Sequence, residues 1–207
     1  MKLNGIGLVV LGAAIVNSAA AHAQTPRVEV TFYPSAHLLA VGGPTAAQPG
    51  FRENAPTAAV AVNLSAYFAV EGELSGALGV TQNLGALGRW KTPSMLGYNG
   101  NIVANLAPRH SVQPYLAVGV GGMHMFTRES LGIGHPENIE TANAGGGVKV
   151  MFGKWGLRAD YRFVGLDSKD SNPSTFIGSD VRHAHRIFAG FIVAPGRGEK
   201  PSNVRTH

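Results

Sequence analysis

Cysteine is absent from the sequence. Disulfides, thiolate metal sites and cysteine nucleophiles are therefore excluded. Charge is scarce: Asp, Glu, Lys and Arg make up 14% of the chain, against roughly 25% in an ordinary soluble domain. Long apolar runs are missing too. Beyond residue 23 no stretch approaches the ~18 apolar residues a membrane-spanning helix requires. No window of comparable length carries the 3.6-residue apolar period of an amphipathic helix. The exclusion stops short of the membrane itself, because the strands of a transmembrane barrel alternate and are never uniformly apolar.

What is plentiful is glycine, 28 of 207 residues, about twice the usual share. The N-terminus carries a second feature. Lys2 precedes an apolar segment from Ile6 to Val16, and Ala21–Gln24 offers an Ala-x-Ala cleavage site after Ala23. Residues 1–23 read as a secretory signal, too short in its apolar part to span a bilayer. Removing Lys2 leaves 16 basic and 12 acidic residues, a net charge of +4. The basic residues are scattered and form no patch, which argues against nucleic acid as a partner.

Period-two alternation then recurs to the end of the chain. Eight segments show it: Arg27–Tyr33, Thr57–Leu64, Tyr67–Gly79, Met95–Leu106, Gln113–Phe126, Ile139–Phe152, Gly153–Asp167 and His183–Val193. Most approach the roughly 9–11 residues a tilted strand needs to cross a bilayer. The segments between them alternate in length. Pro34–Pro56, Val80–Ser94, Thr127–Asn138 and Ser168–Asp180 are long; the links near Ser65, at Ala107–Ser111 and at Gly153 are tight. Long loops on one rim and short turns on the other are the signature of an up-and-down membrane barrel. The expected architecture is all-β: an eight-stranded antiparallel transmembrane barrel over 24–194, preceded by the signal and followed by a short tail, 195–207.

The seventh segment shows what such a barrel would do with its side chains. Trp155, Leu157, Tyr161 and Phe163 share one parity, and Arg158, Asp160 and Arg162 the other. In lipid, the apolar parity faces hydrocarbon and the charged parity faces the lumen. The same rule assigns Phe68, Leu74, Val118, Val150, Ile187 and Phe191 to lipid. It assigns Glu71, Glu73, Lys149 and Arg186 to the lumen. An eight-stranded barrel is just wide enough for side chains to fill it, so these charges must pair. Glu71, Glu73 and Glu29 are the available partners for Arg158, Arg162, Arg186 and Lys149. Gly119, Gly121, Gly145 and Gly147 fall on the lumen parity and leave room for long side chains.

The segments Gln113–Gly122, Asn143–Phe152, Gly156–Gly165 and Arg186–Val193 resemble the OmpA-type eight-stranded outer-membrane β-barrels. The likeness implies the outer membrane of a Gram-negative envelope, with outer-membrane lipid, lipopolysaccharide and the assembly machinery as partners. Such barrels commonly end on an aromatic residue. Here Ala194–His207 follows the last strand, so Phe191 and Val193 would serve as an internal signal. Members serve as anchors, adhesins and small pores.

Chemistry beyond this is sparse. His183 and His185 share a strand face but sit on the lipid parity, where a surface pair is the simpler reading. His37, His124 and His135 fall in or near long links. His110 and Ser111 are adjacent, so they point to opposite faces, and they lie in a short turn, the wrong rim for a lipid A hydrolase. No cofactor, metal or catalytic set is implied. The expected function is a monomeric structural or interaction protein acting through long outward loops. The alternative is a small pore, passive or gated by the lumen ion pairs, and less favoured is a lipid A-modifying hydrolase.

Overall fold

A computed structural model describes residues 27–40, 51–79, 81–83, 88–91, 94–126, 137–167 and 182–195. Residues 1–26 and 196–207, which hold the expected signal and most of the expected tail, and the centres of the long links lie outside the described residues.

Eleven strands follow in chain order: β1 (Val28–Ala40), β2 (Phe51–Asn54), β3 (Thr57–Asn63), β4 (Phe68–Ala77), β5 (Thr81–Asn83), β6 (Arg89–Lys91), β7 (Met95–Asn105), β8 (Val112–Met125), β9 (Glu137–Phe152), β10 (Trp155–Asp167) and β11 (Arg182–Val193). Eight of them form the barrel. Each of β3, β4, β7, β8, β9, β10 and β11 pairs antiparallel with its predecessor in the ring, and β11 closes onto β1. Closure removes every free edge, so the wall's backbone polar groups are satisfied within the sheet.

Three tight connections share one rim. Ser65 Oγ accepts from the amides of Tyr67 at 3.2 Å and Phe68 at 3.0 Å, closing the β3–β4 turn. The β7–β8 turn is held by His110 N donating to Ala107 O at 3.2 Å. Gly153 makes the β9–β10 turn at φ 67°, a conformation glycine adopts without steric cost. The chain ends of the barrel lie on this rim too: Asn63 N donates to Arg27 O, and Ala194 N to Lys154 O.

The first long link is shorter than the sequence suggests. β1 does not stop at Tyr33 but continues through Pro34 to Ala40. The register with β11 shifts between Phe32 and Ser35, so a bulge absorbs the proline, which cannot donate to the ladder. The bulge also reverses parity. Tyr33 and Ala36 are both buried inside, although three residues apart. β2 then pairs with the far half of β1, and β5 with β6 forms a small hairpin within the 80–94 link.

The wall is inverted relative to a soluble protein. Outward positions are apolar through the middle of the wall, with His124, Asn138, Glu140, His183 and His185 toward the long-link end, and the inward positions hold most of the described charge. Phe68, Leu74, Val118, Leu157, Tyr161, Phe163, Ile187 and Phe191 all point outward and are exposed. Val150 shares their parity and is half-buried. Tyr67, Phe152 and Trp155 mark the short-turn rim, and Tyr98, Phe126 and Phe163 the other. A continuous exposed apolar belt between aromatic girdles matches a hydrocarbon slab and would aggregate in water.

Candidate functional site

The lumen is filled in bands. At the short-turn rim Met151, Ile192 and Ala194 form an apolar floor. Gln113 braces it by donating to Pro108 O at 3.0 Å and His110 O at 2.8 Å. Above it Lys149 Nζ meets Glu29 Oε2 at 2.6 Å, and Asn63 Nδ2 donates to the other Glu29 oxygen at 3.2 Å.

The central band is a network around Asp160. Arg158 binds Glu71 through Nη1 and Asp160 through Nη2 at 3.0 Å. Arg162 Nε donates to Asp160 Oδ1 at 2.7 Å, and its Nη2 lies 3.6 Å from Glu71 Oε1. Tyr33 and Tyr115 both donate their hydroxyls to Asp160 Oδ2, from opposite sides of the ring. The Arg158 guanidinium lies over the Tyr115 ring, 4.6 Å from its centroid. Asn101 Nδ2 donates to Glu71 at 3.2 Å, and Arg162 Nη1 to Asn143 Oδ1 at 3.0 Å. Each carboxylate therefore faces more than one donor, which is what burial of charge demands.

A third band pairs Arg186 Nη2 with Glu73, and Asn99 Nδ2 donates to the same carboxylate at 3.4 Å. The Arg186 guanidinium also lies over Phe188, at 4.2 Å. Across the three bands, four buried cations (Lys149, Arg158, Arg162, Arg186) face four buried anions (Glu29, Glu71, Glu73, Asp160). The described lumen is neutral. At the long-link mouth the filling turns apolar again, with Met95, Met125, Ile139, Val164 and Leu166.

The structure thus places Glu71, Glu73, Lys149, Arg158, Asp160, Arg162 and Arg186 inside, all buried. It divides them among three bands. Tyr33 and Tyr115 are the members the sequence reading missed. Their parity was the available signal, since both alternate with outward apolar residues.

Inward glycines make the central band possible. Tyr115 lies across Gly147, its register partner. A Cβ at Gly147 would meet the Tyr115 hydroxyl at 2.5 Å and Cζ at 2.8 Å. Gly147→Val is expected to lower stability by about 1–3 kcal/mol through overpacking. Outward Gly72, with nothing within 4 Å of its Cβ position, is the control: Gly72→Ala should be near neutral. Urea unfolding midpoints in one detergent compare the two.

The remaining candidates stay outside the lumen. His183 and His185 are on the outer wall, where Phe163 stacks on His183 at 5.6 Å and Tyr161 Oη lies 2.7 Å from His185 Nδ1. His124 is also outward, 2.8 Å from Asn138 Oδ1 through Nδ1. His110 and Ser111 are exposed in the β7–β8 turn, at the rim opposite the long links.

No protein-family model matches the chain. No curated protein matches its sequence either. Solved structures do match in shape. Neisserial surface protein A aligns at 12% identity with a TM-score of 0.56, covering 84% of this chain and 99% of that one. The outer membrane protein OprG from Pseudomonas aeruginosa aligns at 10% identity and TM-score 0.45, over 82% and 96% of the two chains. The outer membrane protein AlkL aligns at 12% and 0.46, over 88% and 97%. The ring of eight antiparallel strands closed by β11 on β1 is the architecture the first of these shares over nearly its whole length. The chain has the fold of the eight-stranded outer-membrane β-barrels.

Proposed function

We propose that this protein is an integral barrel of the outer membrane, exported by its N-terminal signal and inserted by the barrel-assembly machinery as a monomer. Its outer wall contacts outer-membrane lipid and lipopolysaccharide. Its long links face outward and carry a structural or interaction role, with no catalysis. The observation that carries this reading is the combination of an apolar outer wall with a lumen closed by three bands of paired charge. A wall of that kind is stable only against hydrocarbon. A lumen so filled is a plug, and it leaves the rims as the surfaces through which the protein acts.

The rival is a small pore gated by the same ion pairs. The two part on conductance. Purified protein in planar bilayers at neutral pH is expected to show little or no steady current. Large, stable openings would mean that the charge bands hydrate and part, and would replace the structural reading with the pore.

A further inference from the structure

We propose that His183 and His185 form a two-imidazole site for a divalent transition-metal ion, Cu(II) before others, on the outer wall at the long-link end of the barrel. Both lie on the outward face of β11, two residues apart, where side chains of one strand point the same way. Parity alone would leave them as surface residues, but their ring contacts add an arrangement. The two imidazole centroids are 5.9 Å apart. An ion held at about 2.0–2.1 Å by a ring nitrogen lies about 3.2 Å from that ring's centroid, so two imidazoles on one ion have centroids about 4.5–6.4 Å apart. The observed spacing falls inside that range. The rings need only turn about their Cβ–Cγ bonds, a soft torsion, to bring one nitrogen of each to a common ion.

A second observation is the hydrogen bond behind the pair. Tyr161 Oη lies 2.7 Å from His185 Nδ1. A metal-bound imidazole almost always has its other nitrogen held by such a partner, which fixes the tautomer and the ring's orientation. With Nδ1 engaged, Nε2 of His185 is the nitrogen left for the ion. Phe163, the register partner of His185 on β10, braces both rings. It stacks on His183 at 5.6 Å and meets His185 nearly at right angles at 5.7 Å. Toward the other rim β11 turns wholly apolar on its outward face, through Ile187, Ala189 and Phe191. The two histidines therefore stand where the apolar belt ends, within reach of water and lipid headgroups.

The donor set selects the ion. Neutral imidazoles suit copper, nickel and zinc, and Cu(II) binds tightest among the divalent ions of that series. Among the described residues no third histidine and no acidic side chain completes a ligand set. Mg(II) and Ca(II), which need oxygen ligands, are therefore disfavoured. The ion keeps open positions for water or headgroup oxygens, so the site exchanges its metal and does not clasp the fold. The inference is independent of the lumen and of the role proposed for the long links.

The test is a competition titration. Folded, untagged protein in detergent micelles is titrated with Cu(II) against glycine as a competing chelator, and the bound ion is followed by electron paramagnetic resonance. One Cu(II) per chain should bind with the signature of two imidazole nitrogens. Ni(II) and Zn(II) should displace it at higher concentration, and Mg(II) and Ca(II) should not. His183→Gln and His185→Gln should each weaken binding at least about tenfold, and Tyr161→Phe about tenfold through lost orientation. The His183→Gln/His185→Gln double variant should lose the two-nitrogen signal. His124→Gln, at an outward histidine on another strand, should bind as the parent does. No Cu(II) bound by the parent overturns the proposal, as does a two-nitrogen signal that survives in the double variant. Affinity unchanged by Tyr161→Phe overturns the role given to that tyrosine. Folding of each variant is read from heat-modifiable migration. If the double variant fails to fold, the two single variants decide, and unchanged affinity in both overturns the site.

Discussion

Replacing Glu71 with Gln should destabilise the barrel by about 3–5 kcal/mol, and adding Arg158→Gln should recover part of the loss. The reason is charge balance in one band. Glu71 and Asp160 together face Arg158 and Arg162. Without Glu71, two guanidiniums share one carboxylate, and a buried positive charge is left over. Removing Arg158 as well restores one cation to one anion. Glu73 behaves differently, because its ion-pair partner is Arg186, on another strand. Glu73→Gln should therefore be rescued by Arg186→Gln and not by Arg158→Gln. Urea titrations of the four single and three double variants give the coupling energies. Additive losses for Glu71 with Arg158 would mean that these side chains do not share a network.

An arginine on the outer wall should cost according to depth. Val118 lies near the middle of β8 and points outward. Val118→Arg is expected to cost about 2–4 kcal/mol, the penalty for a charge at the bilayer midplane. Leu157→Arg, two residues from the rim residue Trp155, and Phe163→Arg, beside His183 and His185, should cost less. Trp155→Arg at the rim should cost about 0–1 kcal/mol. Folding equilibria in lipid vesicles measure the series. A flat profile would mean that the belt does not sit across hydrocarbon.

The wall of the barrel was legible in the sequence because a strand has a period of two and each face meets a single solvent. β10 is the clearest case, with Leu157, Tyr161 and Phe163 on one parity and Arg158, Asp160 and Arg162 on the other. Where parity breaks, the reading broke too. Pro34 looked like the start of a loop, but a bulge carries β1 past it and brings Ala36 inside. The pairing of charges was not legible for a different reason. Which residues share a level depends on the shear of the closed sheet, and alternation along one strand says nothing about shear. Hence Glu71 and Glu73, two apart on β4, reach different partners on β10 and β11. Parity puts Tyr33 and Tyr115 inside, but that their hydroxyls meet at Asp160 is again a matter of shear.

The absence of cysteine makes the decisive measurement straightforward, since single cysteines can be introduced without background. Leu157→Cys, Ala159→Cys, Tyr161→Cys and Phe163→Cys place a label on the outward face of β10, and Val164→Cys and Leu166→Cys place one inside. Each variant is spin-labelled and folded into lipid vesicles. Its collision rates are then measured with oxygen, which dissolves in lipid, and with a nickel chelate, which stays in water. The outward sites should collide freely with oxygen and be shielded from nickel, and the inward sites should be shielded from both. Outward sites reached by the nickel chelate would contradict the account, because the apolar wall would then be facing water and the barrel would not span a membrane.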